Sequence, residues 1–204
     1  DVFRIQPLTA LPAVNNVNGK SITINGGSQV AATGESNAFG PEIEIDGSQV
    51  RVASNGLTVD STEVQIASLA IHSFDGRGIH VRANNVTIAD NYIGTDASGI
   101  LAAPNSNHGI EVYKSSSIII SDVDIRGNLV SGNDGHGISL AYVDGGVITG
   151  NKIGTTADGQ AALGNGTSTF NADGINLGSS SNILIGGPDV GDGNLVSGNE
   201  GAGV

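Results

Sequence analysis

One seven-residue phrase occurs twice in this chain, and its recurrence limits the possible folds more than any other feature of the sequence. Gly-Asn-Leu-Val-Ser-Gly-Asn stands at 127–133 and again at 193–199, while residues 91–99 recur in altered form at 151–159. A shorter signature, Gly-Ile/Leu-x-Val/Leu, begins at Gly56, Gly78, Gly109, Gly137 and Gly174. Repetition at intervals of this size is typical of solenoids, whose units bury their apolar faces by stacking.

Apolar residues alternate with polar ones inside each unit, as in half-buried strands. The first strand of the units carries the pairs Leu57/Val59, Ile79/Val81, Ile110/Val112, Ile138/Leu140 and Ile175/Leu177. A second strand is predicted at Val64/Ile66, Val86/Ile88, Ile118/Ile120 and Ile183/Ile185, and a third carries Ile93, Val130, Ile153 and Val196. With 3% aromatic residues and no tryptophan, the interior must be built from small branched side chains. The pattern predicts an all-β fold, a parallel β-helix of about 6–8 coils.

Asparagine recurs at the ends of the predicted second strands. Asn91, Asn128, Asn151 and Asn194 hold the same place in successive units, so we expect their amides to stack and to hydrogen-bond along the solenoid. Asparagine also tolerates the left-handed conformation of a sharp corner, and we expect these four residues to adopt it.

The chain divides into two parts. Residues 1–50 are predicted to form an N-terminal capping segment with the first coils, in which Pro7, Pro12 and Val14 cover the first coil. Residues 51–204 are predicted to form the regular coils. Because the sequence stops inside a repeat unit, we expect the solenoid to continue beyond Val204. Segments 94–107 and 154–172 exceed a minimal coil and should project as loops from the same side, two coils apart.

The charge and hydropathy of the chain limit its partners. A formal net charge of −12 disfavours nucleic acid and anionic membranes. No apolar run approaches the ~20 residues of a membrane-spanning helix, so no membrane insertion is expected. With no cysteine, the chain has neither disulfides nor thiolate metal sites.

Three phrases carry a resemblance to a known type of protein. Residues 40–47 (Gly-Pro-Glu-Ile-Glu-Ile-Asp-Gly), 91–99 and 127–133 resemble the right-handed parallel β-helix repeats of bacterial secreted and cell-surface proteins. The same superfold is shared by pectate lyases and polygalacturonases. The resemblance covers roughly residues 10–204 and implies an extracellular or cell-surface location. It also implies that any substrate groove follows the outer face of the first sheet.

The residues predicted to face outward from the first strands form a polar strip. Immediately before the signature glycines come Asn55, Arg77, His108, His136 and Asp173; two residues after them come Thr58, His80, Glu111, Ser139 and Asn176; and Asp60, Arg82 and Tyr113 follow. A uronate lyase or epimerase would use Arg77 or Arg82 to pair the substrate carboxylate, His80, His108 or His136 as base, and Tyr113 as acid. Arg77, His108, Glu111, His136 and Asp173 are the candidate ligand-binding residues. The alternative is an ordinary solvated face whose polar groups satisfy one another.

The order of two motifs in the chain disfavours a hydrolase. The segment 135–137 (Gly-His-Gly) is similar to one in polygalacturonases, and 171–173 (Asn-Ala-Asp) to their Asn-Thr-Asp segment. The order is reversed here and no Asp-Asp pair exists, although inverting hydrolysis needs two carboxylates.

Calcium is a further possibility at the predicted turns, which are rich in aspartate. These residues are Asp75, Asp96, Asp122, Asp124, Asp134, Asp158, Asp189 and Asp192. No EF-hand spacing is present, and Asx turns explain the aspartates more simply, so no cofactor or metal site is predicted.

These features favour a structural or adhesive module of a secreted or surface-displayed bacterial protein. A polysaccharide or cell-surface glycan is the expected ligand. Exposed solenoid ends are expected to template strand addition, with end-to-end association into fibres. The alternative is a polysaccharide lyase or epimerase that uses the strip.

Overall fold

The computed structural model describes residues 2–16, 18–34 and 37–204, which fold almost entirely into short strands. One helix, α1 (Ser28–Thr33), and one 3₁₀ turn (Gly47–Gln49) interrupt the described strands. In chain order the strands are β1 (Phe3–Ile5), β2 (Ile22–Asn25), β3 (Ile43–Asp46), β4 (Leu57–Val59), β5 (Val64–Ala67), β6 (Leu69–His72), β7 (Ile79–Val81), β8 (Val86–Ala89), β9 (Tyr92–Ile93), β10 (Ile110–Val112), β11 (Ile120–Arg126), β12 (Leu129–Val130), β13 (Ile138–Ala141), β14 (Val143–Thr149), β15 (Lys152–Ile153), β16 (Ile175–Gly178), β17 (Ser181–Ile185) and β18 (Leu195–Val196).

The strands form three sheets in which all pairings are parallel. Sheet A has the order β1-β3-β6-β9-β12-β15-β18, sheet B the order β4-β7-β10-β13-β16, and sheet C the order β2-β5-β8-β11-β14-β17. The chain passes from A to B to C and returns to A one position further along. This winding is a parallel β-helix, as predicted. Sheet C receives one strand per turn, so its 6 strands define the number of complete turns, and β18 follows them.

The interior consists of stacked aliphatic side chains from successive turns. In sheet B the register aligns Ile79, Ile110, Ile138 and Ile175 in one file, each at most 1% exposed, as predicted. Burial of each such side chain stabilises the fold by about 1.5–3 kcal/mol. Phe74 is the one aromatic ring among the largest fully buried side chains, and it lies against the Cα atoms of Gly47 and Gly56.

The prediction for one second strand was wrong in register. In β11 the residues aligned with Val86 and Ile88 are Val123 and Ile125, whereas Ile118 is 42% exposed and lies in a turn before the strand. Ile118/Ile120 and Val123/Ile125 are both pairs of β-branched residues spaced two apart, so this spacing alone could not choose between them. The position of the preceding corner sets the register of the strand. Asp122 adopts the left-handed conformation (φ 57°) directly before Val123, as Asn85 (φ 54°) does before Val86.

The predicted asparagine stack exists, but its backbone conformation was predicted wrongly. Asn91, Asn128 and Asn151 each donate from Nδ2 to Oδ1 of the next asparagine, at 3.1, 3.0 and 2.9 Å, and the series ends at Asn194. None of the four has a positive φ. The left-handed residues are those directly before them, Asp90, Gly127 and Gly150. The preceding residue makes the corner, which leaves the amide free to bridge successive turns.

A second asparagine stack lies at the corner between sheets A and B and was not predicted. Asn105, Asn133 and Asn165 each donate from Nδ2 to Oδ1 of the next asparagine, at 3.0, 2.9 and 2.8 Å, ending at Asn199. The first three are fully buried. Each also satisfies a backbone carbonyl of the preceding turn, as Asn133 does that of Ile93 (3.0 Å). The two stacks therefore satisfy backbone groups where the ladders are interrupted.

The N-terminal residues form a turn of the solenoid. β1 pairs with β3, and β2 with β5. Val14 forms a parallel bridge with Val59 at the edge of sheet B, so Val14 lies in the first turn of the solenoid. Its apolar side chain packs against the core like those of the later turns.

The two long loops lie where they were predicted. They leave sheet A after β9 and β15, which are two positions apart in that sheet. Each loop is closed by an antiparallel bridge, Thr95 with Ala102 and Thr155 with Ala162. The backbone N–H of Ala157 donates to the carbonyl of Gly99 (2.9 Å), so the second loop packs directly on the first.

Candidate functional site

The predicted polar strip forms one continuous surface, here called the sheet-B face: the outward residues of β4, β7, β10, β13 and β16 with the residue before each signature glycine. The register aligns Thr58, His80, Glu111, Ser139 and Asn176 in one file. Because successive side chains of a strand point to opposite sides, this file lies outside while the isoleucine file lies inside. The sequence thus predicted the alignment of the strip.

The residues before the signature glycines form a hydrogen-bonded ladder. Asn55 Oδ1 accepts from the backbone N–H of Arg77 (3.0 Å), His108 Nδ1 from that of His136 (3.0 Å), and His136 Nδ1 from that of Asp173 (2.8 Å). Asp173 Oδ1 continues the series to the N–H of Ala202 (2.9 Å). Asn, His and Asp side chains each carry a hydrogen-bond acceptor close to the backbone, which explains why these residue types occur before the signature glycines. The Arg77 side chain has no acceptor. In its place Asn107 Oδ1 accepts from the backbone N–H of His108 (2.9 Å).

Glu111 is the electrostatic centre of the sheet-B face. Its Oε2 lies 2.5 Å from Arg77 Nε and 3.2 Å from His80 Nε2, and its Oε1 lies 3.7 Å from His108 Nε2. Glu111 is buried, so its charge is poorly screened by water. The carboxylate therefore neutralises Arg77 and lies close to two imidazoles.

Arg82 is paired in the same way. It forms a two-pronged ion pair with Asp60, from Nε (2.7 Å) and from Nη2 (2.6 Å). Both arginines of the strip are therefore bound to carboxylates of the chain itself. A uronate that used either of them would have to displace an internal partner.

Two histidines of the face, His80 and His108, are neutral at neutral pH. Burial lowers the pKa of His108 to about 4, against a raising effect of the Glu111 charge. Burial likewise lowers the pKa of His80. Because His108 Nδ1 accepts a backbone N–H, its neutral ring carries its proton on Nε2, toward Glu111. His80 Nε2 donates to the carbonyl of Tyr113 (2.9 Å). In this geometry Nε2 of each ring carries its proton, so neither Nε2 presents a free lone pair.

Aromatic rings cover one end of the face. The rings of His108 and His136 stack with centroids 5.0 Å apart, and Phe170 meets His136 edge-on at 5.4 Å. Tyr113 and Tyr142 lie 6.1 Å apart, centroid to centroid. Sequence reasoning missed Tyr142 and Phe170. Tyr142 follows the predicted strip directly, which is a usable signal, whereas Phe170 comes from the second long loop, whose path has no sequence signature.

The fourth histidine lies elsewhere, in a buried polar cluster on the outside of sheet A. His72 Nε2 is 2.8 Å from Glu44 Oε1, and Glu44 Oε2 is 2.6 Å from Arg4 Nε. Gln6 Nε2 donates to Asp46 Oδ2 (2.7 Å). These contacts join β1, β3 and β6, which indicates a structural role for the cluster.

The aspartates of the turns cap local backbone and hydroxyl groups. Asp96 accepts from Ser98 Oγ (2.8 Å), Asp158 from the N–H of Gln160 (3.0 Å), and Asp192 from the N–H of Asp189 (3.0 Å). The contact of Asp158 is an Asx turn, and the other two are local contacts within a turn. Across residues 2–16, 18–34 and 37–204, no three His, Cys, Asp or Glu residues group closely enough to hold a metal ion. Calcium binding at these turns, which the sequence leaves possible, stays untested.

The fold and this surface define a class of protein, a parallel β-helix with a polar and aromatic external face. Comparisons of the chain with protein-family models, with curated proteins and with solved structures found no match. No helix in the described part of the chain is long and apolar enough to cross a membrane.

Proposed function

We propose that the chain is a structural and adhesive β-helix module of a secreted or surface-displayed bacterial protein, and that its sheet-B face binds a cell-surface glycan or polysaccharide. The observation that supports a binding role most directly is the internal pairing of the face. Arg77 and Arg82 are neutralised by Glu111 and Asp60, while the ring of Phe170 is exposed beside His136. Such a face offers apolar area without free charge, which suits a neutral sugar.

The rigidity of the scaffold supports the adhesive role. The ladder from Asn55 to Asp173 fixes the outward side chains to the backbone of the next turn. Side chains fixed before binding lose little conformational entropy when a ligand arrives. Two-point contacts between Arg82 and Asp60 have the same effect at the other end of the face.

Binding to glycans tests this proposal. The full chain is screened against immobilised neutral and acidic polysaccharides, together with Phe170→Ala and Tyr142→Ala. We expect retention on a neutral polymer that weakens at least about fivefold in each variant, since an aromatic contact contributes about 1 kcal/mol. Phe39→Ala, which removes an exposed ring near sheet A, is the matched control and should bind like the wild type. Equal retention of all four proteins would contradict the proposal.

A lyase or epimerase is the second candidate, because one carboxylate gathers the residue types that this chemistry needs. Arg77, His80 and His108 all lie within 3.7 Å of Glu111, and Tyr113 follows on the same strand face. Incubation with pectin and alginate, followed by ultraviolet absorbance of unsaturated uronates, tests the lyase. Absorbance that disappears in His108→Ala or His136→Ala would establish an enzyme in place of a purely adhesive module.

Self-association through the outer strands completes the proposal. Among the described strands of sheet A, the outer strands β1 and β18 each pair on one side only, and unpaired strand edges template further pairing. Sedimentation velocity at rising concentration should show end-to-end species, and a constant monomer would count against assembly.

A further inference from the structure

Two tyrosine rings lie side by side at the corner where the chain passes from sheet B to sheet C. Tyr113 directly follows β10, and Tyr142 directly follows β13 one turn later. Their ring centroids are 6.1 Å apart and their ring planes meet at 39°. The third tyrosine of the chain, Tyr92, lies in β9 of sheet A. Two of the three tyrosines are therefore in contact across successive turns.

The backbone beneath the two rings is fixed by hydrogen bonds to neighbouring turns. The N–H of Tyr113 donates to the carbonyl of Val81 (3.0 Å), and the N–H of Tyr142 donates to that of Gly178 (3.0 Å). The carbonyl of Tyr142 in turn accepts from the N–H of Ile120 (3.0 Å). Both side chains are half-buried, so their rings can still rotate about side-chain bonds on a fast timescale. The ladder thus keeps the rings adjacent while leaving each of them free to turn toward the other.

The fold does not require an aromatic residue at position 142. Tyr142 has a left-handed backbone (φ 57°), which is rare for a bulky side chain. The register aligns Ala141 with Gly178, so the residue after each of them holds the same place in its turn. In the later turn that residue is Ser179, whose φ is 50°. The corner therefore needs the left-handed conformation but not the ring, and an unfavourable conformation at a bulky residue indicates a role for its side chain.

The hydroxyl groups of the pair are open to solvent. Neither the Tyr113 nor the Tyr142 hydroxyl forms a hydrogen bond in the described part of the chain, and neither is a buried unpaired atom. Tyr92 differs, because its hydroxyl donates to the carbonyl of Phe39 (2.9 Å) and burial raises the pKa of its phenol. A phenol that is oxidised by one electron also loses its proton. The pair can release this proton directly to water, whereas Tyr92 must first break a hydrogen bond.

The composition of the chain directs oxidation to tyrosine. Thiols and thioethers are the side chains that oxidants commonly consume, and this chain has neither cysteine nor methionine. It also lacks tryptophan, the other side chain that readily gives up one electron. A one-electron oxidant is therefore left with the three phenols as its main targets.

We propose that Tyr113 and Tyr142 form a modification site, at which a peroxidase acting with hydrogen peroxide couples the two rings into dityrosine. Each phenol loses one electron and one proton, and the two radicals form a carbon–carbon bond between the ring carbons that neighbour the hydroxyl-bearing carbons. The hydrogen on each bonded carbon then passes through solvent to the phenol oxygen. The peroxide takes up the two electrons and two protons and becomes two molecules of water. The product joins two successive turns covalently. This inference depends on the pairing of the rings and not on a bound glycan, so it stands independently of the function proposed above.

Oxidation of the full chain tests the site. A dilute sample is treated with a haem peroxidase and hydrogen peroxide, and dityrosine is followed by its blue fluorescence. At about 10 μM chain, a second ring held in the same molecule has an effective concentration of about 1 mM or more, so coupling within the chain should exceed coupling between chains about a hundredfold. Mass spectrometry should show a monomer that has lost two hydrogen atoms, with the tryptic peptides 83–114 and 127–152 joined through Tyr113 and Tyr142. Products that are mainly linked between molecules, or linked through Tyr92, would overturn the proposal.

Three variants locate the coupling. Tyr113→Phe and Tyr142→Phe should each lower the yield of monomeric dityrosine at least about tenfold, because only coupling through Tyr92 or between chains is left. Both should fold, since each removes a hydroxyl group that has no partner in the described structure. Tyr92→Phe is the matched control and should couple like the wild type. A wild-type yield in either of the first two variants would refute the assignment.

Two further measurements separate the native contact from chance coupling. In urea the unfolded chain should lose its preference for the link between Tyr113 and Tyr142, and the same distribution of products as in the folded chain would contradict a role of the native contact. The crosslinked chain should melt about 5–10 °C higher than the untreated chain, since a crosslink between two turns restricts the unfolded state. An unchanged melting temperature would contradict a crosslink that joins two native turns.

Discussion

The imidazole of His108 stacks on that of His136 in the next turn, and its Nδ1 accepts the backbone N–H of the same residue at 3.0 Å. The His108 side chain thus joins two neighbouring turns at a point that precedes strands β10 and β13. The contact exists only while Nδ1 of His108 is unprotonated. The stability of this part of the solenoid therefore depends on the protonation state of one ring.

The first prediction is a loss of stability in mild acid. The folded pKa of His108, about 4, lies below its ordinary value of 6.5, so the unfolded chain binds the proton more readily. Stability from this residue is complete above pH 6.5 and is lost as the pH falls toward 4, by at most about 2–3 kcal/mol. Urea unfolding at pH 7, 5.5 and 4.5 measures it. His108→Asn, which keeps an acceptor as Asn55 does, should flatten the dependence, and an unchanged slope would contradict the assignment.

The second prediction concerns Glu111, whose charge raises the pKa values of His80 and His108 against the effect of burial. Glu111→Gln removes that charge, so both pKa values should fall further below 6.5. NMR titration of the imidazole protons measures them. Asp60→Asn is the matched control, because Asp60 pairs with Arg82. It should move both values less than Glu111→Gln does, and the reverse order would be inconsistent with Glu111 as the centre of the face.

The third prediction concerns the asparagine stack at the corner between sheets C and A. Asn128 donates from Nδ2 to the carbonyls of Ile88 (2.9 Å) and Arg126 (3.0 Å) and accepts the backbone N–H of Asn91 (2.9 Å). Asn128→Ala leaves these buried groups unpaired, which should cost about 2–4 kcal/mol of unfolding free energy. Chemical denaturation measures the loss. Asn176→Ala, on the outer face, removes one contact to Asp173 and should cost less than about 1 kcal/mol.

Features that recur at a fixed number of residues from the signature glycine could be predicted from the sequence. The isoleucine file from Ile79 to Ile175 and the outward strip beside it follow from that offset and from alternation. The second asparagine stack was not predicted, because the number of residues between each asparagine and the preceding strand varies. Asn133 comes three residues after Val130, whereas Asn105 comes twelve residues after Ile93. A long loop intervenes in the second case, and its return point cannot be counted from a strand.

The position of the candidate site could be predicted from the sequence, but the pairing of its charged side chains could not. Histidines and arginines could be placed on one face, but their pairing with Glu111 and Asp60 depends on rotamers that cross from one turn to the next. Phe170 was not predictable, because the second long loop that carries it has no sequence signature. Non-repeating segments packed on a repeating scaffold thus hold the features that periodicity cannot reveal.

The last prediction tests the interior file on which the outer surfaces depend. Ile138 lies at 0% exposure between Ile110 and Ile175 in sheet B, so Ile138→Ala opens a cavity that its neighbours in adjacent turns cannot fill. A loss of about 2–5 kcal/mol is expected from such truncations. Leu177→Ala, at 40% exposure in the adjacent strand, is the control and should cost less than half as much. Because the file positions Glu111 and Ser139 outside, the variant should also broaden their NMR signals. Equal losses in the two variants would mean that the isoleucines do not form the continuous core of the solenoid.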